Sequence, residues 1–496
     1  MSLRRALAGM TLTFGIVAAL TPAAGLAAGG TTRMVDGDGR AAPGNCAASA
    51  AASTTIQSAI DAANPGDTVL VCPGTYTEQV VITVNDLTVR STGKWTAVIK
   101  PRASLPDDFL VGIGDAKGIT FQGFKLVAPT TGDCIDVPVG ILVIGTRDTI
   151  VRGNQIRAAG PNTLGECGFD IGIALGPDFV ISGATSVTPS GFDVPTHAAV
   201  IFNSVQDFKA AGIVASGQGT IANIQRNSIR YYHLGHTSDD QCLNTVANVT
   251  PAGTDVRKQL RKLIDRLPDQ GTGIAGPAPF ACYAVGILTG FDARAVIKGN
   301  RVHSGIDALP ALEPLGASTT TPVLLAGIVD LMDEGIHPVR IANNLVYRTI
   351  AGIGILVAQN TKVLDNRVVS NVVGLYVDSV DRALVRDNQF KRNWVGVAVL
   401  DALLNYFPSY ANRFLDNDVR LNFEGSCIDV TLDATNPFAG DRGTDNRWRN
   451  NQAEDGSSEP YGICGAIPPV VCGASSRSPL LALLPRRPES QHTNSC

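Results

Sequence analysis

The chain has 496 residues, 44% of them hydrophobic and 17% charged, with a formal net charge of -4. That balance supports a large buried core and excludes a disordered polymer. The mild acidity argues against nucleic acid as a general partner, and 52 glycines against four methionines point to many turns and a β-rich interior.

At the N-terminus, Arg4 and Arg5 precede an apolar run from Leu12 to Leu20 and the small-residue stretch Ala23-Ala24-Gly25-Leu26-Ala27-Ala28. This pattern predicts a secretory signal peptide over residues 1–28, cleaved after Ala27 or Ala28. The Arg4-Arg5 pair fits general or twin-arginine export, and the sequence leaves both open. No later stretch reaches the roughly 18 to 20 apolar residues of a spanning helix, so a secreted, extracellular protein with no membrane span is expected.

Residues 29–53 read as an N-terminal extension. From Thr54 the pattern changes: Ile56, Ala59, Ile60 and Ala63 share one face of a short helix, stopped by Asn64-Pro65-Gly66. Strand-like runs follow at residues 68–72 and 79–83. A helix here would cap the first coil of a repeat structure.

The repeat is plainest between Ile341 and Phe390, where Ile341-x-x-Asn344-x-Val346, Val363-x-x-Asn366-x-Val368 and Val385-x-x-Asn388-x-Phe390 step by 22 residues. Earlier copies carry Asn154, Asn227 and Asn300, 73 residues apart each time, which suggests three coils of about 24 residues per interval. A later copy falls on Asn412 or Asn417, with the register open. Units this short cannot bury their own apolar face, so neighbours must stack with strands about 4.8 Å apart. The regular solution is an all-β, single-stranded parallel β-helix, one coil per repeat. The asparagines are expected to take the left-handed turn conformation and to hydrogen-bond along the axis, a structural role.

"IQSAIDAANPGDTVLVCPGTYTE", from Ile56 to Glu78, together with the Gly-Ile and Asn repeats, resembles the right-handed parallel β-helix proteins of the pectin-lyase-like superfamily. The resemblance covers roughly residues 54–450. It implies a right-handed coil and an extracellular protein dealing with polysaccharide, either as a lyase or glycoside hydrolase on uronate-containing polymers or as a non-catalytic binding or adhesion solenoid. The solenoid is expected over residues 54–473, with a partly helical insertion at 235–282 and a flexible tail at 474–496. Enzyme signatures are missing: "GTYTE" is similar to an early pectin methylesterase motif, but Gln206-Asp207-Phe208 lacks that family's surroundings. Gly235-His236 and Asp239-Asp240 stand in the wrong order for a polygalacturonase. The pectate-lyase Arg-x-Pro-x-x-Arg and the alginate-epimerase Asp-Pro-His-Asp are absent.

The ten cysteines of an exported chain read as disulfides. Nearest-neighbour pairing gives Cys46 with Cys72, Cys134 with Cys167, Cys242 with Cys282, Cys427 with Cys464, and Cys472 with Cys496, although sequence leaves the connectivity open.

Two constellations are candidate sites. His233, His236, Asp239 and Asp240 crowd one insertion and could supply a general base, an acid or metal ligands; a polar loop is the plainer reading. Asp330, Asp378 and Asp401 each end a strand opening with Gly327-Ile, Gly374-Leu or Gly396-Val, and Asp378 and Asp401 are expected to stack. Carboxylates stacked about 5 Å apart raise one another's pKa and suit glycoside cleavage or calcium. No cofactor is evident, and calcium is the one metal left open. Arg257, Lys258, Arg261, Lys262 and Arg266 line one face of the predicted insertion helix, which could hold an acidic polymer.

Overall fold

The computed structural model describes residues 30–102, 109–128, 137–157, 169–176, 195–208, 211–231, 285–290, 292–304, 324–333, 338–400, 408–429, 445–454, 457–459 and 463–466. Among these, short strands assemble into three long sheets of thirteen, ten and twelve strands, called sheets 1, 2 and 3. Each coil visits them in that order. Lys362–Leu364 lies in sheet 1, Arg367–Val369 in sheet 2 and Val373–Asp378 in sheet 3, and the chain then returns to sheet 1 at Leu384–Arg386. Every coil pairs in parallel with the next. This is a right-handed parallel β-helix, the hand that parallel crossovers almost always take.

Alternation within each strand builds the core. Ile297, Ile341, Val363, Val385 and Phe414 from sheet 1 point inward in register, as do Val302, Val346, Val368 and Phe390 from sheet 2, all fully buried. The Gly-aliphatic opening of sheet 3 strands has a packing cause. A Cβ on Gly352 would lie 2.6 Å from the Gly374 carbonyl oxygen and collide with Val368, and Gly327, Gly374 and Gly396 are equally crowded. Only glycine lets the coil turn so tightly.

A buried ladder runs through Asn154, Asn203, Asn227, Asn300, Asn344, Asn366, Asn388, Asn417 and Asn451. The N–H of each donates to Oδ1 of the next at 2.8–3.0 Å. The structural role expected of these residues is what the geometry shows, with two corrections. The left-handed conformation belongs to the residue before, as at Arg226, Asn343, Asp365, Asp387 and Asp416, because the asparagine itself must turn its amide onto the next coil. The 73-residue intervals are not three coils each. The first holds one extra rung, Asn203, at steps of 49 and 24, and the second is one coil step. Asn417 continues the main ladder, whereas Asn412 joins Asn446 in another.

The solenoid starts earlier than residue 54. Thr32–Val35 pairs with Thr68–Val71 at the edge of sheet 1, and Cys46–Cys72 ties this first coil. The helix Ile56–Asp61 buries Ile56, Ala59 and Ile60 in the same core cluster as these strands. Both Glu78 carboxylate oxygens accept from its first N–H groups, at Ile56 and Gln57 (2.9 Å each), so the acid of "GTYTE" serves a helix start here. Cys427–Cys464 ties the other end. The remaining cysteine pairs, the signal segment, the insertion at 235–282 and the tail lie outside the described residues. No helix among the described residues is long and apolar enough to cross a membrane.

Candidate binding surface

The predicted acidic stack is not seen among the described residues. Sheet 3 advances by 22 residues here, pairing Val377 with Val399, so Leu400 rather than Asp401 stands beside Asp378. Asp401 itself lies outside the described residues, as do His233, His236, Asp239 and Asp240. Asp330 and Asp378 also occupy different columns. Asp330 is in register with Ile355, Val377, Val399 and Asp429 on the inner face, while Asp378 follows Leu331 and Leu356 on the outer one.

Both carboxyls are fully buried. Thr361 donates its hydroxyl to Asp330 Oδ2 at 2.5 Å, and burial, with Asp333 adding to it, pushes the Asp330 pKa up to about 7. Such a group inside the coil meets no polymer. Asp378 accepts from Tyr376 and Ser379 at 3.0 Å each, in an outer layer otherwise made of Val329, Leu331, Leu356, Ala398 and Leu400.

A cationic and aromatic cluster lies on the outer face of sheet 2, where Arg301 is exposed, Arg230 and Tyr347 are half-buried and His303 is buried. In each coil the second residue after the ladder asparagine points inward, so the first and third point out. This register sets Arg230, His303 and Tyr347 in one row and Ser228, Arg301, Leu345 and Arg367 in the row beside it. Neighbours in a row are about 4.8 Å apart. No outward position on the ten strands of sheet 2 carries a carboxylate, whereas Lys100, Lys125, Arg157, Arg230, Arg301, Arg367 and Lys391 all carry cations.

Tyr347 lies flat on His303, with centroids 4.5 Å apart and 9° between planes. Arg301 donates from Nε and Nη2 to the Tyr347 hydroxyl at 2.9 and 2.6 Å. The guanidinium carbons of Arg301 and Arg348 stand 5.4 and 5.8 Å from the same ring. His303 Nδ1 is 2.9 Å from the Ser304 carbonyl, which can only accept, so Nδ1 carries the proton and Nε2 is the acceptor nitrogen. Burial, together with Arg301, Arg230 and Arg348, holds the His303 pKa below its usual value and keeps the ring neutral near neutral pH. At the row's other end, burial pushes Asp207 up to about 6 against the pull of Arg157 and Arg230.

Apart from Asp207, weighed above only against a methylesterase motif, none of these residues was singled out from the sequence. The signal was present, because the asparagine register fixes the outward positions once the inward residue is known. The arrangement can hold carboxylates with guanidinium groups and lay a sugar ring against an aromatic one. Among the described residues no three His, Cys, Asp or Glu side chains gather as metal ligands.

A family model described as periplasmic copper-binding protein (NosD) matches residues 327–457. Among solved structures, the chain is similar to the periplasmic alginate epimerase AlgG, at 13% identity over 72% of this chain and 73% of that one, with a TM-score of 0.38. Similarity to the Dettilon tailspike protein is 13% identity over 82% and 64%, with a TM-score of 0.46. An alginate lyase from Paenibacillus sp. str. FPU-7 gives 14% over 71% and 99%, with a TM-score of 0.38. These are likenesses of fold alone. No curated protein matches the chain in sequence.

Proposed function

We propose that the protein is exported through residues 1–28 and binds an acidic extracellular polysaccharide along the outer face of sheet 2. The Arg230, His303 and Tyr347 row flanked by Arg301 and Arg348 carries this reading, since it joins cations to an aromatic face with no carboxylate on the strands. A polyuronate presents one carboxylate per ring and fits such a row. The Cys46–Cys72 and Cys427–Cys464 bridges favour an oxidising compartment.

The test is affinity electrophoresis in gels containing polygalacturonate, alginate or neutral dextran, with and without calcium. Retardation by the polyuronates alone is expected, weakening with salt. Arg230→Gln with Arg301→Gln should weaken it by about tenfold or more, as loss of charge-assisted contacts of 1.5–3 kcal/mol implies. Equal retardation in dextran, or by the double variant, would sink the reading.

A second reading, turnover of the same polymer, rests on the neutral His303. Its Nε2 could take the proton beside a carboxylate that arginine neutralises, so that a carbon–carbon double bond forms as the glycosidic C–O bond breaks and the leaving oxygen takes a proton from water. Mass spectrometry of the products, with His303→Gln as the control, tests it; a polymer left uncut by the wild-type protein removes it. Copper, named for the matching family, does not fit these residues. The matched span holds one histidine (His337), one methionine (Met332) and one cysteine (Cys427) already in a disulfide, where copper wants several soft or imidazole donors.

A further inference from the structure

The geometry points to a second polyanion-binding face on sheet 1, so that one molecule bridges two polymer chains. This rests on the polysaccharide reading above for the class of ligand. Six consecutive strands, from Arg294–Lys298 to Arg447–Arg449, each expose a cation: Arg294 and Lys298, Arg340, Lys362, Arg386, Arg413, then Arg447 and Arg449. At about 4.8 Å per strand the ladder is about 24 Å long. Every outward position on these strands is basic or apolar, and none is acidic.

Two features separate this face from an ordinary solvated surface. First, Arg340 pairs directly with Lys362, and Arg413 with Arg447. Like charges directly opposite in a sheet destabilise it, so the pattern works against the fold. Only Arg386 has an ion pair, with Asp387 at 3.0 Å; the other cations of the ladder pair with no described residue. A polyanion laid along the axis would relieve that repulsion. Second, Asp365, Asp387 and Asp416 stand at the corner between sheet 1 and sheet 2. With Asp387 held by Arg386, the charges of Asp365 and Asp416 make this corner acidic and discourage one polymer from wrapping both faces there, so each face takes its own chain. The six strands turn no aromatic ring outward, so stacked nucleic-acid bases have no platform here.

The test mixes full-length protein with long polygalacturonate and follows light scattering, beside binding of a short oligogalacturonate. Wild-type protein is expected to cross-link the long polymer and raise scattering. Arg340→Gln/Lys362→Gln/Arg413→Gln should still bind the oligomer through sheet 2 while scattering falls about tenfold, because bridging needs both faces. Its Tm should hold or rise, which also confirms folding. Cross-linking by the triple variant equal to wild type, or oligomer binding without any cross-linking by the wild type, overturns the second face and leaves sheet 2 standing. Stronger binding of single-stranded DNA than of polyuronate by the sheet 1 face also overturns it. No polyuronate binding at all removes both proposals.

Discussion

Asp330 shows how a polar residue inside the coil makes stability depend on pH. Its folded carboxyl keeps its proton to about pH 7, while an unfolded aspartate loses it near 3.8. The folded state therefore binds the extra proton between those values, and stability falls as pH rises through that window. Asp418, lowered to about 2 by Arg420 and Lys391 against the raising effect of burial, acts oppositely and loses its contribution as pH falls from 3.8 towards 2. Asp330→Asn keeps the Thr361 bond without the ionisation. It should raise stability at pH 8 by up to about 4 kcal/mol, at 1.36 kcal/mol per pKa unit, and by far less at pH 4. Urea unfolding at the two pH values checks this, and an equal gain at both would contradict it. At this scale, the sequence showed the ladder asparagines and concealed the direction of the aspartates. Asp330 and Asp378 both follow a Gly-aliphatic strand, yet a difference of one position in register turns one inward and the other outward.

At the scale of the coil, tight corners are enforced by glycine at the opening of sheet 3. Gly352→Ala would drive a Cβ onto the Gly374 carbonyl and Val368, neither of which is a flexible side-chain end. We expect a loss of about 3 kcal/mol or more, at the upper end for overpacking, with the same substitution at the open Gly37 costing far less. Comparing urea midpoints of the two variants decides the point. The repeat was legible where coils lack insertions, from Asn344 to Asn388, because 22-residue steps recur. Elsewhere loop length and coil length add together, so equal 73-residue intervals concealed different numbers of rungs. The row of Arg230, His303 and Tyr347 was hidden for the same reason: two of its three neighbours in space are 73 residues apart in sequence.

Across the whole molecule, a solenoid is held by contacts between neighbouring coils, so it opens from its ends. Here both ends carry a covalent tie: Cys46–Cys72 in the first coil and Cys427–Cys464 among the last. Reduction should cost roughly 3 kcal/mol per bridge, and amide exchange should then quicken first around Thr32–Val71 and Gly425–Ala466. Unchanged protection at those strands after full reduction would count against this order of opening. The sequence revealed these cysteines but not that the first strand begins at Thr32, since "TRMV" carries neither the glycine nor the asparagine of the repeat.

The corner between sheet 2 and sheet 3 is crossed by a single residue, Arg348, between Tyr347 and Thr349, whereas residues 232–284 join Tyr231 to Val285 across the same corner of an earlier coil. The asparagine rungs on either side keep the same bond lengths in both cases. The axial framework is thus indifferent to how much chain leaves it at that port. New recognition elements can be gained, exchanged or shed there over evolutionary time, or grafted there by design, beside a charged face that stays where it is.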